Sequence, residues 1–304
     1  MFTRFVALAL AVLGLLWATA AAGEDGQVPE SLVFVREGNV FRMFIDGSET
    51  VQLTATKVKE TSPAVSPESL RIAFGRGNDE LWTMDLRGSD QRKLVDRRTA
   101  TVRYASTGSP SWSADGRSLF FDRVSQTPNE ICGSIFRVGA DAGTIKRVTL
   151  GRVHGRLDTD PAVSPDGRRI VLVSGACEPG CCPGIGVVDT AGRPTGDLRH
   201  LGRTPGIQLE PSWAPDGKQI TFVVSDIDGS GRSAVYVVDR NGFGLRRVTQ
   251  WTFETGSPAW SPSGEWIAFH KEGGLFLVRP DGTGLQRVPG TQAGDTNPAW
   301  LRRT

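Results

Sequence analysis

Residues 257–264 read Ser-Pro-Ala-Trp-Ser-Pro-Ser-Gly. The phrase recurs as Ser-Pro-Ala-Val-Ser-Pro-Glu at 62–68, Ser-Pro-Ser-Trp-Ser-Ala-Asp-Gly at 109–116, Asp-Pro-Ala-Val-Ser-Pro-Asp-Gly at 160–167 and Glu-Pro-Ser-Trp-Ala-Pro-Asp-Gly at 210–217. A truncated copy, Asn-Pro-Ala-Trp, stands at 297–300. The leading prolines Pro63, Pro110, Pro161, Pro211, Pro258 and Pro298 are 47, 51, 50, 47 and 40 residues apart. Self-similarity at periods of ~40–50 residues marks the four-stranded blades of a β-propeller.

After each turn comes a β-rich run: Ile72-Ala73-Phe74, Leu119-Phe120-Phe121, Ile170-Val171-Leu172, Ile220-Thr221-Phe222 and Ile267-Ala268-Phe269. A third strand follows, as at 235–239, and a Gly-containing turn leads to a fourth, such as Arg246-Arg247-Val248-Thr249. Apolar alternation broken by Gly and Asp turns reads as antiparallel hairpins, not helices. The last copy stops after one strand, while residues 31–54 supply three strands that lack a first one. The predicted fold class is therefore all-β: a six-bladed β-propeller closed by a blade shared between the N- and C-termini. Such closure hides sheet edges that would otherwise be exposed.

The repeat, with its trailing Arg-Arg-Val-Thr strand, resembles TolB-like, WD-repeat-like bacterial propellers over residues 31–304. That family includes a periplasmic subunit of an envelope system and the propeller halves of prolyl oligopeptidases. The resemblance implies a propeller alone. The segment before residue 31 has no room for the additional α/β domain of TolB, and the chain holds no Gly-x-Ser-x-Gly elbow of the hydrolase half.

The chain has 304 residues, 38% hydrophobic and 22% charged, with a formal net charge of +2. That balance fits a soluble globular domain and excludes the basic excess of a nucleic-acid binder. Arg4, an apolar run from Phe5 to Trp17 and the small residues Ala18 to Ala22 have the layout of a secretory signal peptide. The expected organisation is a signal peptide at 1–22, a short exposed segment at 23–30 and the propeller at 31–304. The expected location is periplasmic or secreted, with no stable membrane insertion after cleavage and a monomeric state. In an oxidising compartment Cys132, Cys177, Cys181 and Cys182 suit two disulfides. One is expected from Cys132 to Cys181 or Cys182, since both regions lie in second-to-third-strand connections of consecutive blades.

Tight turns trim one face of the disc. The opposite face carries the connections at 95–108, 123–133, 151–160, 174–184 and 225–233, read as long loops and therefore as the working face. Glu60, Asp158, Asp160, Glu210, Glu254 and Asp295 precede the inner strands and are expected to ring the channel mouth. An acidic ring attracts a cation, a basic side chain or a peptide amino terminus, unless arginines of the same loops neutralise it. Asp226 and Asp228 sit in a calcium-like loop that lacks the bidentate Glu of an EF-hand. His154, His200 and His270 fall in different registers, which argues against a shared metal site. The Trp112, Trp213, Trp260 and Trp300 series reads as packing between blades. The function expected is a non-catalytic scaffold for a protein or peptide, with no cofactor beyond a structural or channel-bound calcium. The alternative is a metal-dependent propeller hydrolase, lactonase or lyase with its site in the central channel.

Overall fold

The structure, a computed structural model, describes residues 30–96, 106–126, 131–151, 155–176, 183–195, 204, 206–226 and 228–302. The expected signal peptide lies outside the described residues. The strands are β1 (Ser31–Arg36), β2 (Asn39–Phe44), β3 (Val51–Gln52), β4 (Glu60–Val65), β5 (Arg71–Arg76), β6 (Glu80–Asp85) and β7 (Arg92–Val95). Then come β8 (Ser106–Trp112), β9 (Ser118–Gln126), β10 (Ile131–Gly139), β11 (Lys146–Arg147), β12 (Arg156–Val163), β13 (Arg169–Ala176) and β14 (Gly184–Asp189). The rest are β15 (Gly206–Trp213), β16 (Gln219–Asp226), β17 (Arg232–Asp239), β18 (Arg246–Arg247), β19 (Thr252–Phe253), β20 (Gly256–Trp260), β21 (Ile267–Lys271), β22 (Gly274–Val278), β23 (Gln286–Arg287) and β24 (Thr296–Leu301). No helix occurs among the described residues.

The strands form antiparallel meanders. The orders are β4-β5-β6-β7, β20-β21-β22-β23 and β15-β16-β17-β18, the last with β19 added against β17. The meanders β8–β11 and β12–β14 merge into a seven-stranded sheet through one parallel pairing of Gly133 with Leu157. The remaining sheet has the order β24-β1-β2-β3, with Leu32 opposite Trp300. The expected pairing of residues from the two ends of the described chain is therefore present.

The repeat phrase explains its own turn. In Trp-Ser-Ala-Asp-Gly, the Ser113 hydroxyl donates to Asp115 Oδ1 at 2.6 Å and accepts the Ser118 N–H at 2.9 Å. Ser66 and Ser164 likewise accept the N–H of the residue that opens the next strand, and Ser261 accepts that of Trp266, one residue before β21. Gly116, at φ +68°, takes the left-handed conformation that closes the turn at no steric cost.

The β-rich runs make the core. Phe34, Phe74, Phe121, Leu172, Phe222 and Phe269 share one register, in β1, β5, β9, β13, β16 and β21, and each is at most 1% exposed. Adjacent sheets pack face to face. Leu119 and Phe121 meet Ala73 and Leu81, while Val33 and Leu301 meet Ile72 and Phe74. The tryptophans tie neighbours together as the sequence suggested. Indole N–H groups of Trp112, Trp213 and Trp300 donate to the carbonyls of Ala64, Ala162 and Ala259 in the preceding repeat, at 3.0, 3.0 and 2.9 Å. Inner strands follow one another as β4, β8, β12, β15, β20 and β24, and β24 returns to β4.

One long connection is largely a hairpin: β9 and β10 stay paired out to Gln126 and Ile131, inside the expected 123–133 loop. Pairing of β16 with β17 ends at Ser225 and Ser233, and that of β13 with β14 at Ser174 and Gly184, the bounds read from the sequence.

Candidate functional site

Each inner strand breaks register at the repeat proline, as between Thr61 and Ala64 or Leu209 and Ser212. A β-bulge of this kind re-aims a side chain. Here the bulged residue precedes the proline and adopts a left-handed backbone in every repeat. Ser62, Ser109, Asp160, Glu210, Ser257 and Asn297 have φ of 49°, 44°, 48°, 51°, 51° and 52°. Positive φ is unfavourable for residues with a Cβ and costs about 1–3 kcal/mol per residue in sparsely populated regions. Such strain clusters at ligand clamps.

These six residues and the prolines after them line one cavity of about 190 Å³. It opens into a wider compartment of about 360 Å³, lined by the Ala, Trp and Pro residues further along the same strands and by Arg302. The first compartment mixes the polar pre-proline side chains with the proline rings, and its lining contains neither Lys nor Arg.

Its wall is wired from repeat to repeat. The Ser109 hydroxyl donates to Asp160 Oδ1 at 2.6 Å. The Glu210 N–H is directed at the Asp160 carboxylate. The Ser257 N–H donates to Glu210 Oε2 at 2.6 Å, and Asn297 Nδ2 donates to Ser257 Oγ at 2.9 Å. Loss of water around the carboxyls outweighs these donors. Desolvation pushes the pKa of both Asp160 and Glu210 up from the ordinary carboxylate range.

The structure brings together only Asp160 and Glu210 of the expected acidic ring. Glu60, Asp158 and Asp295 stand three residues before the proline instead of one, and the intervening bulge separates the two positions. All three are buried within their own sheets. Glu60 accepts two bonds from Arg76, at 2.7 and 3.0 Å, and one from the Thr54 hydroxyl. Asp295 pairs with Arg36 at 2.7 and 2.8 Å and accepts the Gln292 N–H. Asp158 accepts the Ser174 hydroxyl at 2.6 Å. Glu254 is exposed and does not line the cavity. Arginines thus hold Glu60 and Asp295 and a serine hydroxyl holds Asp158, while the channel acids have neither Lys nor Arg in their lining.

Two residues at the site escaped the sequence reading. Asp122 is 5% exposed, its Oδ1 accepts no hydrogen bond, and desolvation followed by repulsion from Asp160 pushes its pKa up to about 7. His270 Nδ1 also has no partner, and burial pulls that pKa down to about 4. Both occupy the position after the core residue of the second strand, where the other repeats carry Val35, Gly75, Val173 and Val223. In both cases the paired inner-strand residue is glycine, Gly108 opposite Asp122 and Gly256 opposite His270. A Cβ on Gly256 would stand 2.5 Å from His270 Cε1 and 3.0 Å from Glu210 Oε2. Two polar residues in a column of Val and Gly, each facing a Gly, form a signal that aligning the second strands would have revealed.

The other candidates resolve more simply. Asp226 and Asp228 cap their own turn, Asp228 accepting the Ser230 N–H at 2.7 Å and Asp226 the Ser230 hydroxyl at 3.1 Å. Among the described residues no three acidic, His or Cys side chains are arranged to hold a metal ion. Cys132 is buried and disulfide-bonded. Cys177, Cys181, Cys182, His154 and His200 lie outside the described residues.

No family model matches the chain. A "Protein TolB homolog" of Chlorobium luteolum is 28% identical over 152 residues, 47% of this chain and 31% of that protein. An "Uncharacterized peptidase YuxL" of Bacillus subtilis is 28% identical over 215 residues, 59% of this chain and 31% of that protein. The chain thus spans about a third of the length of the curated relatives it matches. Among solved structures, TolB from Acinetobacter baumannii superposes with a TM-score of 0.70 at 19% identity, covering 90% of this chain and 67% of that one. A putative TolB from Agrobacterium tumefaciens gives 0.65 at 18% identity, covering 90% and 94%. Oligogalacturonate lyase from Vibrio parahaemolyticus gives 0.56 at 12% identity, covering 84% and 74%. With its repeat phrase, antiparallel meanders and axial cavity, the chain has the fold of a TolB-like β-propeller.

Proposed function

We propose that this chain is a non-catalytic, extracytoplasmic scaffold that binds a protein or peptide at its axial channel. The observation that carries the reading is the cavity at the pre-proline residues. Every repeat holds one strained residue toward it, and two of those residues are desolvated carboxyls with no Lys or Arg in the lining. The reading includes a six-bladed ring closed by a blade from both ends, supported by the β24–β1 pairing and by the β24–β4 contact. It includes export, supported by the apolar run from Phe5 to Trp17 and the disulfide at Cys132, and a monomeric state. A bridge from Cys132 to Cys181 or Cys182 is part of the same proposal.

The alternative, a metal-dependent hydrolase, lactonase or lyase, draws on the lyase among the fold neighbours and would place its ion in the same channel. Metal analysis of the purified chain separates the two readings. The direct test is photocross-linking in envelope extract from a reactive side chain placed at Ser62, with Lys146 on an outer strand as the control position. The scaffold reading expects a defined protein adduct from Ser62 alone, weakened when Asp160→Asn and Glu210→Gln are combined. Equal labelling from both positions would overturn it.

A further inference from the structure

We propose that the Cys132 disulfide is a redox-controlled latch across the junction of the β8–β11 and β12–β14 meanders. When a protein dithiol reduces it, the junction opens and the channel wall parts between Ser109 and Asp160. The latch does not depend on what occupies the channel.

Near the axis this junction is weakly stitched. Indole N–H groups of Trp112, Trp213 and Trp300 tie three other junctions, but the 160–167 repeat carries Val163 at the tryptophan position. Its inner strand is held to β8 by the Val163 N–H on Ser111 Oγ at 3.0 Å and by the Ser109 hydroxyl on Asp160 Oδ1 at 2.6 Å. Two buried carboxyls bear on each other across the same junction, since Asp160 of β12 repels Asp122 of β9. The Ser109 hydroxyl and the Asp160 N–H are directed at Asp122 and offset that repulsion in part. No Lys or Arg lines the cavity beside Asp160. Arg123, the residue after Asp122, lies over the Phe121 and Phe136 rings, and successive side chains along a strand take opposite faces. Asp158 turns into its own sheet, onto the Ser174 hydroxyl. Like charges held close in a low-dielectric setting push their carriers apart.

Further out the same junction is clamped. The parallel pairing of Gly133 with Leu157 joins β10 to β12. A Cβ on Gly133 would stand 2.8 Å from the Asp158 carbonyl oxygen, so this approach of two backbones requires glycine. Cys132, the residue before it, is disulfide-bonded. The chain's other cysteines, Cys177, Cys181 and Cys182, all fall in the connection between β13 and β14. Whichever of them bonds Cys132, the bridge crosses from one meander to the next. The covalent clamp thus stands beside the hydrogen-bonded one, and both oppose the repulsion nearer the axis. Exchange with a dithiol passes through a mixed disulfide. The Cys132 S–S bond breaks and two thiols form, while the dithiol gives up two electrons and two protons and closes its own S–S bond. With the bridge gone, one parallel pairing and two hydroxyl contacts are left against the carboxyl repulsion.

The test is native-state hydrogen exchange on the full mature chain at pH 8, where Asp122 is mostly ionised. The chain is measured oxidised and after reduction with excess dithiothreitol. One reporter is the Val163 N–H, which crosses the latched junction to Ser111. The other is the Ser257 N–H, which crosses from β20 to Glu210 of β15. Reduction should speed exchange at Val163 about tenfold or more beyond any change at Ser257. Cys132→Ser, which leaves the other three cysteines in place, should do the same without reductant. Asp122→Asn, reduced in the same way, should bring Val163 back to within about threefold of the oxidised parent, because one repelling charge is gone. A staple of the whole fold would speed both amides alike, and that outcome overturns the latch. So does unchanged exchange at Val163, a Cys132 bridge that survives the dithiothreitol, or exchange in the reduced chain that ignores Asp122→Asn.

Discussion

Replacing Asp122 by Asn should convert a pH-dependent fold into a flatter one. In the folded chain the Asp122 carboxyl titrates at about 7 instead of 3.8, because burial and Asp160 both disfavour its charge. Between those values the folded chain holds a proton that the unfolded chain has released. This group's contribution to stability is therefore fully present below about pH 4 and is lost as pH rises to about 7. The slope is about 1.4 kcal/mol per pH unit, and the full span about 4 kcal/mol. Asparagine keeps the shape and carries no charge. Urea unfolding of parent and variant at pH 5 and pH 8 should therefore show the variant gaining about 2–3 kcal/mol on the parent over that interval. Titrating groups other than Asp160, which loses the repulsion of Asp122 in the variant, cancel in the comparison. A parent-to-variant difference that stays constant within about 0.5 kcal/mol would show that Asp122 titrates as an ordinary carboxylate, and the desolvated-channel argument would fail.

His270 has the opposite sign. Its folded pKa of about 4 lies below the ordinary 6.5, so its contribution is lost as pH falls between those values. His270→Gln should then recover up to about 3 kcal/mol by pH 4 relative to parent, read by the same unfolding experiment. Gly256→Ala places a methyl against His270 and Glu210 and should cost about 1–3 kcal/mol, with a lowered melting temperature. An unchanged melting temperature would mean the histidine swings away freely. Arg76→Met leaves Glu60 buried without its arginine and should cost about 3–5 kcal/mol in the same unfolding experiment. Deleting residues 296–304 removes the partner of β1 and uncovers Leu32 and Phe34, so the cooperative thermal transition should be lost.

The fold was legible because its signals are local and repeated. Six prolines, the Ser-Pro-Asp-Gly turns and a Phe or Leu at one register recur at blade spacing, and each repetition tests the last. The acid positions were legible only as a neighbourhood. Asp158 and Asp160 look equivalent on a regular strand, where alternate residues share a face. The bulge before Pro161 breaks that alternation, sending Asp160 to the axis and Asp158 into its own sheet. A one-residue irregularity leaves no composition signal, so the distinction needed coordinates. Asp122 and His270 were hidden for another reason. Each sits in an apolar strand that already reads as core, and its counterpart is a glycine across the sheet, 14 residues away in both cases.

The pairing of β24 with β1 also sets a timetable. During synthesis at ~5–20 residues per second, the roughly 260 residues between these strands take on the order of 10–50 s to appear. Throughout that interval β1 presents an edge with no partner, and unpaired edges are templates for the wrong chain. A sheet that waits for β24 keeps that edge of β1 open until the strand has been made.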